Sequence, residues 1–233
     1  MSDAERERTN KLLRPILKGK DIKKYGHNWS HAGKWLINVH NGVKGRLKRV
    51  DVEEYYSVKK FMNQYMARLS RRADKGDTPY NLRNCAYIEL FDEPKIMYPN
   101  MTKYLPFYYD KEGFFTNDKG FIITGKHLSY LVAFLNSSLF KYAFYDNFTP
   151  LFGGSREIRK IFIEKIPVKD VDDKTNLEFQ KIVDDIQRDY SDEKAKEIDR
   201  RIFDLYGLSK EEREIIGYID YHSNDDSDDE EED

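Results

Sequence analysis

The sequence has very little cysteine, no long apolar segment and none of the short motifs of common catalytic sites. Its single cysteine, Cys85, excludes an internal disulfide and a cysteine-based zinc site, and is typical of a reducing compartment. The N-terminus, MSDAERERTNK, is charged from the start and lacks the apolar core of a signal peptide. The longest apolar run of the central helical pattern, residues 131–135, is far too short to span a bilayer. We therefore expect a soluble cytoplasmic protein without membrane contact.

The absence of glycine-rich and histidine motifs argues against most enzyme classes. The sequence contains no GxGxxG, GxxxxGK[ST] or GxSxG pattern. Its five histidines lack HExxH spacing, and the pair His27 and His31 lies among glycine and asparagine residues that are typical of loops. We therefore predict no catalytic residue and no metal-ligating residue.

One enzymatic alternative stays open, a magnesium-dependent nuclease. Such enzymes combine an acidic residue with an Asp/Glu-x-Lys pattern that binds Mg²⁺ and activates water. The pattern occurs four times in this highly charged sequence, so that a single match carries little weight. The best placed is Glu93-Pro94-Lys95, just before a predicted strand, with Asp77 or Asp92 as the second acid.

The net charge of −2 conceals an uneven distribution of charge along the chain. Residues 1–170 carry 31 Lys and Arg against 19 Asp and Glu, whereas residues 171–219 carry 9 against 14. Residues 220–233 add nine acids and no base, and we expect this acidic tail to be disordered because it has nothing to bury. A basic body favours a polyanionic partner. A solvated surface of mixed charge is the alternative, since 35 % of all residues are charged.

The hydrophobic pattern alternates short strands and helices without regular βαβ spacing, which predicts an α+β fold with a mixed sheet over residues 1–170. Strands are predicted over residues 35–39, 85–90, 95–98, 121–123 and 161–163. Helices are predicted over residues 51–72 and from Gly125 to Leu139, the latter capped by Thr124, and Asn41-Gly42 predicts a turn. A small helical appendage over residues 171–219 is predicted from capping boxes that begin at Thr175 and Ser209.

Several basic and amide side chains in predicted loops have the chemistry of DNA contacts. Lysine and arginine neutralise phosphates, and in bidentate geometry Arg pairs with guanine and Asn with adenine. The predicted phosphate contacts are Lys18, Lys20, Lys23, Lys24, Arg71 and Arg72. The candidates for base contact are Asn81, Arg83, Asn84 and Arg156, with Asn117 and Ser155 as further polar loop residues and Arg159 and Lys160 as further cations. A solvated surface is the alternative for each residue alone, and the set together favours DNA.

A series of segments follows one order along residues 12–219. The segments are residues 13–25 (LRPILKGKDIKKY), 35–42 (WLINVHNG), 72–87 (RADKGDTPYNLRNCAY), 91–98 (FDEPKIMY), 115–118 (FTND), 130–140 (YLVAFLNSSLF), 161–167 (IFIEKIP) and 198–208. In this order they resemble the TaqI-like C-terminal specificity domain of type IIG restriction-modification enzymes and adenine-specific DNA methyltransferases.

The resemblance implies a target recognition domain that clamps duplex DNA against an adenine-specific methyltransferase domain and selects the sequence. In such enzymes the methyltransferase flips the adenine and transfers a methyl group from S-adenosylmethionine. The chain has no Asp/Asn-Pro-Pro-Tyr/Phe motif, so that S-adenosylmethionine and Mg²⁺ would belong to a partner or to other domains. We therefore expect a chain that is catalytically silent by itself, either a C-terminal piece or a free-standing specificity protein.

The resemblance does not assign the residues that read bases, because these vary with the target in the family. The predicted site therefore depends on residue chemistry and loop placement alone. A further alternative is a protein-interaction module that packs on a methyltransferase and contacts DNA only incidentally.

Overall fold

The structure is a computed structural model that describes residues 2–30 and 33–218, so that the predicted acidic tail lies outside the described residues. The α-helices of this part are α1 (Asp3–Leu12), α2 (Tyr56–Asn63), α3 (Met66–Arg71), α4 (Leu128–Leu135), α5 (Ser138–Phe144), α6 (Lys160–Ile163), α7 (Asp173–Arg188), α8 (Asp192–Tyr206) and α9 (Lys210–Ile216). The strands are β1 (Leu13–Leu17), β2 (Ile22–Lys23), β3 (Gly26–His27), β4 (Trp35–Ile37), β5 (Lys95–Pro99), β6 (Met101–Thr102), β7 (Tyr108–Asp110), β8 (Phe115–Thr116), β9 (Gly120–Ile123), β10 (Thr149–Pro150) and β11 (Arg156–Glu157). None of the helices described is long and apolar enough to cross a membrane.

Helices and several small sheets confirm the predicted α+β fold. The chain divides into two compact units. The first unit comprises the described residues of Met1–Ile16, His31–Glu93 and Glu112–Phe115, and the second those of Leu17–Ser30, Pro94–Lys111 and Thr116–Asp233. The predicted domain boundary at residue 170 does not coincide with this division.

The first unit has a small core between α1, β4 and α2. Strand β1 lies between β4 and β8 and pairs antiparallel with β4, with Leu13 opposite Ile37. Helix α2 buries Val58 and Met62, four residues apart, because this spacing places both on one face. The buried residues of this core are Leu12, Val39, Val52, Val58 and Met62. The predicted helix over residues 51–72 is present as α2 and α3, preceded by a short 3₁₀ turn.

The second unit is built on the sheet β7-β5-β9, in which β5 is the buried central strand. Both pairings are antiparallel, with Ile96 opposite Tyr109 and Ile123. Helix α4 covers this sheet and is itself packed by α7 and α8, and the interior is rich in aromatic rings such as Phe107, Phe134 and Phe140. The helices predicted after residue 170 are therefore present, and they share one core with α4 and α5.

The predicted helix from Gly125 to Leu139 is two helices, because polar side chains interrupt it. Asn136 exchanges hydrogen bonds with the backbone N–H and C=O of Phe107, at 3.1 and 2.7 Å, and Ser137 accepts from the N–H of Phe140 to cap α5. The helix begins after His127, which has a left-handed backbone (φ 54°), so that the predicted cap at Thr124 is wrong.

Two predicted strands are helical in the structure. Residues 85–90 form a turn and the start of a 3₁₀ helix, Ile88–Asp92, with Tyr87 and Leu90 exposed. Residues 161–163 belong to α6, where Ile161 is 55 % exposed. The periodicity of a short apolar run does not distinguish a strand from a helix. Within residues 2–30 and 33–218, neither run pairs with a strand.

The C-terminal helices are capped partly as predicted. Ser209 and Glu212 form the predicted capping box of α9. Helix α7 instead begins after Asp172, whose carboxylate accepts from the N–H of Thr175 at 2.8 Å, so that the predicted box at Thr175 is wrong.

Candidate nucleic-acid interface

Two neighbouring loops of the first unit line a concave site of about 770 Å³. The basic loop is residues 42–49, GVKGRLKR, and the polar loop is residues 73–84, ADKGDTPYNLRN. Asp77 and Asn84 of the polar loop face the site together with Cys85 and Ala86. The site therefore combines cations with amide and carboxylate groups.

The fold of the basic loop depends on Gly42. The predicted turn is confirmed: Gly42 has φ 73°, and its N–H donates to Nδ1 of His40 at 3.2 Å. A Cβ at this position would lie 2.5 Å from the carbonyl oxygen of Leu47 and 2.6 Å from the nitrogen of Arg49, so that only glycine fits. Burial lowers the pKa of His40, which favours the neutral ring whose Nδ1 accepts this hydrogen bond.

The basic loop presents four exposed cations that are not among the residues predicted from the sequence. Arg46 donates to the carbonyl of Ala86 at 2.8 Å and pairs with Glu89 at 3.1 Å. Lys44 and Lys48 are exposed and form no hydrogen bond or ion pair within the part of the chain that is described. Arg49, the fourth cation, lies 3.5 Å from Asp77. Four basic residues within six positions after an Asn-Gly turn were the pattern that could have identified this loop.

Asn41 joins the basic loop to the polar loop. Its Nδ2 donates to Oδ1 of Asp77 at 2.9 Å and to Oδ1 of Asn84, and its own Oδ1 accepts from the N–H of Asp77 at 2.9 Å. Gly76 makes room for this contact, since a Cβ there would lie 2.7 Å from Oδ1 of Asn41. The two loops are therefore held in one arrangement before any ligand binds.

Two predicted DNA contacts, Asn81 and Arg72, form hydrogen bonds that hold the polar loop in its conformation. Asn81 is 2 % exposed, and its Nδ2 donates to the carbonyls of His40 (3.2 Å) and Val50 (3.0 Å). Nη2 of Arg72 donates to the carbonyls of Pro79 at 3.3 Å and Asn81 at 2.9 Å. These contacts weaken the case for direct DNA contact by either residue.

Three further predicted DNA contacts, Arg83, Asn84 and Arg71, lie in or next to the polar loop. All three are exposed. Within the described residues the side chains of Arg83 and Arg71 form no hydrogen bond or ion pair, and Oδ1 of Asn84 accepts from Asn41. Asn84 therefore presents an amide beside the basic loop, and the exposed guanidinium of Arg83 precedes it in the chain.

The predicted lysines of residues 18–24 lie in the second unit, around a 3₁₀ turn (Gly19–Asp21) and the hairpin β2–β3. Lys20 is exposed, whereas Lys18 and Lys23 are half-buried. Lys24 is only 7 % exposed, and burial lowers its pKa to about 8. This burial disfavours a phosphate contact by Lys24.

The remaining predicted contacts also lie in the second unit. Asn117 accepts from the N–H of Lys119 at 3.2 Å in the turn before β9, and Ser155 closes a turn by accepting from the N–H of Leu151 at 2.8 Å. Arg156 is held against Tyr145 and Asp146, whereas Arg159 and Lys160 are exposed. The structure therefore brings Arg71, Arg72, Asn81, Arg83 and Asn84 together in the first unit and places the other predicted residues in the second.

The nuclease alternative finds no support in the structure. Lys95 is fully buried in an ion pair with Asp110, where it has no access to a water molecule bound to a surface metal. Asp92 pairs with Arg14 at 2.7 Å, and Asp77 holds Asn41. Among the residues described, no cluster of three or more metal-ligating side chains occurs.

A comparison with protein-family models identifies the fold and its role. The model of the TaqI-like C-terminal specificity domain matches residues 14–168, more than half of the chain and both loops of the candidate site. This confirms the resemblance found in the sequence. A specificity domain is a DNA-binding part of restriction-modification enzymes and is distinct from their catalytic parts. By its sequence and by the arrangement of its segments, the chain belongs to the family of TaqI-like C-terminal specificity domains.

Proposed function

We propose that this chain reads a specific duplex DNA sequence and directs an adenine-specific methyltransferase of a type IIG restriction-modification system to it. The observation that carries the proposal is that Asn84 is held beside the basic loop by Asn41, with the exposed Arg83 next to it in the chain. S-adenosylmethionine, and Mg²⁺ where a nuclease is fused, belong to the methyltransferase or nuclease part. The chain itself supplies recognition.

Within the candidate site, some residues are suited to bind phosphates and others to contact the edges of bases. Lys44 and Lys48 are exposed surface cations, suited to neutralise phosphates without regard to sequence. Arg83 presents the planar fork that binds N7 and O6 of guanine, and the Nδ2 of Asn84 is available to an acceptor on a base edge. The fixed contact between the loops preserves this geometry in the free protein, which lowers the entropy lost on binding.

A selection of binding sites from random duplexes, with and without a partner methyltransferase, tests the proposed function. We expect one recurrent sequence to be enriched. Replacing Arg83 with Ala should reduce discrimination at one base pair of that sequence by about 1–3 kcal/mol, and Arg83→Lys should lose most of it because lysine lacks the planar fork. Equal losses of affinity on selected and random duplexes would refute the role of Arg83.

Lys48→Ala is the matched control on the neighbouring loop. It should weaken binding to all duplexes alike and reduce the slope of log affinity against log salt by about 0.9, the value for one phosphate contact. The sequence preference should stay that of the wild type. A chain that co-purifies with a methyltransferase but binds no duplex in any state would instead favour the protein-interaction module.

A further inference from the structure

A β-hairpin of the second unit carries a bare aromatic ring at its tip. Its arms are β10 and β11, with Thr149 opposite Glu157 and Pro150 opposite Arg156. In the connecting loop, residues 151–155, Phe152 is fully exposed, at 103 % of its reference surface. A single exposed apolar side chain is common on protein surfaces. What distinguishes Phe152 is that hydrogen bonds hold the loop that carries it in a fixed position.

Two glycines shape the hairpin tip and leave Phe152 isolated. Gly153 and Gly154 have φ of 72° and 79°, in the left-handed region that favours glycine. A Cβ built on either glycine meets no atom within 4 Å, so that the tip has open space next to the ring. The tip is therefore a narrow projection with one large apolar group.

Two hydrogen bonds hold the loop at the tip in place. The N–H of Leu151 donates to the carbonyl of Ser155 at 2.8 Å, which closes the loop. The hydroxyl of Tyr145 donates to the carbonyl of Gly154 at 3.1 Å. The position of the loop is thus fixed from within the hairpin and from the segment before it.

Arg156 completes this support. Its guanidinium lies over the ring of Tyr145, 4.5 Å from the centroid, and donates to Asp146 at 2.9 Å. The side chain is 18 % exposed, and β11 pairs on its other edge with β6. Arg156, which the sequence suggested as a base contact, instead stiffens the hairpin that carries Phe152.

Two exposed cations follow the hairpin in sequence. Arg159 and Lys160 have exposed side chains, 57 % and 71 %, and pair with Glu157 at 2.7 Å and Glu164 at 3.3 Å. Exposed ion pairs of this kind are weak and are readily exchanged for a phosphate. The hairpin thus carries a rigid apolar tip, and the segment directly after it carries cations that can engage a DNA backbone.

We propose that Phe152 is a wedge that inserts between two stacked base pairs of the bound duplex, while Arg159 and Lys160 neutralise nearby phosphates. Apolar side chains inserted in this way unstack a base step and kink the duplex. The inference rests on the DNA-reading function proposed above. The partner that the tip contacts is a base step of duplex DNA and not a protein surface.

A selected duplex in which 2-aminopurine replaces each adenine in turn tests the wedge, because its fluorescence rises when the base loses its stacking. The wild-type chain should raise the fluorescence at one step and bend an end-labelled duplex. Phe152→Ala should abolish both signals and weaken binding about tenfold, with an unchanged salt slope. Phe152→Leu should retain most of the effect, and Phe61→Ala, at an exposed ring of the first unit, should leave it intact.

The possible failures are distinguishable. If the wild-type chain binds the selected duplex but Phe152→Ala changes neither fluorescence, bending nor affinity, the wedge is overturned and DNA reading stands. If Phe152→Ala impairs only co-purification with a methyltransferase, the ring contacts protein and the wedge is equally overturned. If the wild-type chain binds no duplex, the proposed function and the wedge fail together.

Discussion

Asn81 bonds through its side-chain amide to the backbone carbonyls of His40 and Val50, inside the first unit. Its Oδ1 accepts from the hydroxyl of Thr78, which fixes the turn of the polar loop. An amide with these partners is no longer available to an adenine. Arg83, two residues later, is exposed. At this scale burial, rather than residue type, separates groups that shape the loop from groups that can meet DNA.

We predict that Asn81→Ala lowers the free energy of unfolding by about 1–3 kcal/mol, because it leaves buried carbonyl groups without a donor. Urea denaturation measures the change. Arg83→Ala, at an exposed side chain without a hydrogen bond or ion pair among the described residues, is the control and should stay within about 0.5 kcal/mol of the wild type. A fully stable Asn81→Ala variant with an altered base preference would instead place Asn81 at the DNA.

Because Lys24 is buried, it should make the free energy of unfolding rise with pH, whereas a surface lysine in an ion pair makes it fall. Burial lowers its pKa to about 8, Asp199 and Asp192 oppose the shift, and Lys141 adds to it. The native state therefore loses this proton near pH 8, whereas the unfolded chain keeps it until about pH 10.4. Because the unfolded state binds more protons in this window, stability rises with pH there.

We predict that wild-type stability increases relative to that of Lys24→Met between about pH 8 and pH 10.4, by up to about 3 kcal/mol. Denaturation curves of both proteins across this range measure the difference, and other titrating groups cancel in the comparison. Lys20→Met, at an exposed position of the preceding 3₁₀ turn, serves as the control. A difference that is flat with pH would show that Lys24 does not change its charge there.

Among the elements, the basic loop depends most on a single backbone conformation. Gly42 needs a positive φ and has the backbone of Leu47 and Arg49 within 2.6 Å of a would-be Cβ. Gly45 also has a positive φ, of 79°, but open space around it. An alanine at either glycine would have an unfavourable positive φ, but only an alanine at Gly42 would also clash with neighbouring backbone atoms.

We predict that Gly42→Ala costs more stability than Gly45→Ala, whose cost should be about 1 kcal/mol from the left-handed backbone alone. Gly42→Ala should also weaken DNA binding and lower its salt dependence, because the displaced loop no longer presents Lys44 and Lys48 together. Chemical denaturation and titrations at several salt concentrations measure both effects. Equal behaviour of the two variants would mean that the loop adapts to the added methyl group.

The elements also show where local sequence patterns were sufficient and where they were not. The Asn41-Gly42 turn and the Ser209–Glu212 capping box follow from short-range chemistry, and the structure confirms both. The strand predicted over residues 161–163 is helical because a strand needs a partner, which no local pattern specifies. For the same reason the break between α4 and α5 depends on Asn136 and the distant backbone of Phe107.

For the whole molecule, the helices after residue 170 belong to the core of the second unit. Phe179, Val183 and Ile186 of α7 are buried, as are Ile198 and Ile202 of α8. Asp199 of α8 is 2 % exposed and accepts from the N–H of Ser138, at the start of α5, at 2.8 Å. This packing is more extensive than the appendage predicted from the sequence implies.

We predict that a chain ending at residue 170 does not fold cooperatively, because it exposes the apolar face of α4 that α7 and α8 cover. Near-UV circular dichroism and binding of a hydrophobic dye should show lost tertiary packing. A chain ending at residue 218 keeps every described helix and should fold as the wild type does. A cooperative transition in the shorter chain would instead show that residues 171–219 are a separable appendage, as the sequence suggested.

The sequence by itself determined the α+β class, the basic body and acidic end, and the membership of a DNA-specificity family, because composition, turn chemistry and segment order are local properties. Only the tertiary structure decided which polar groups are accessible. It buried Asn81, Lys24 and Lys95, set Arg156 against Tyr145 and Asp146, left Phe152 exposed, and joined the basic loop to the polar loop through Asn41. The physical reason is that burial and hydrogen-bond partners come from contacts between residues far apart in the chain, so that identical side chains acquire different roles.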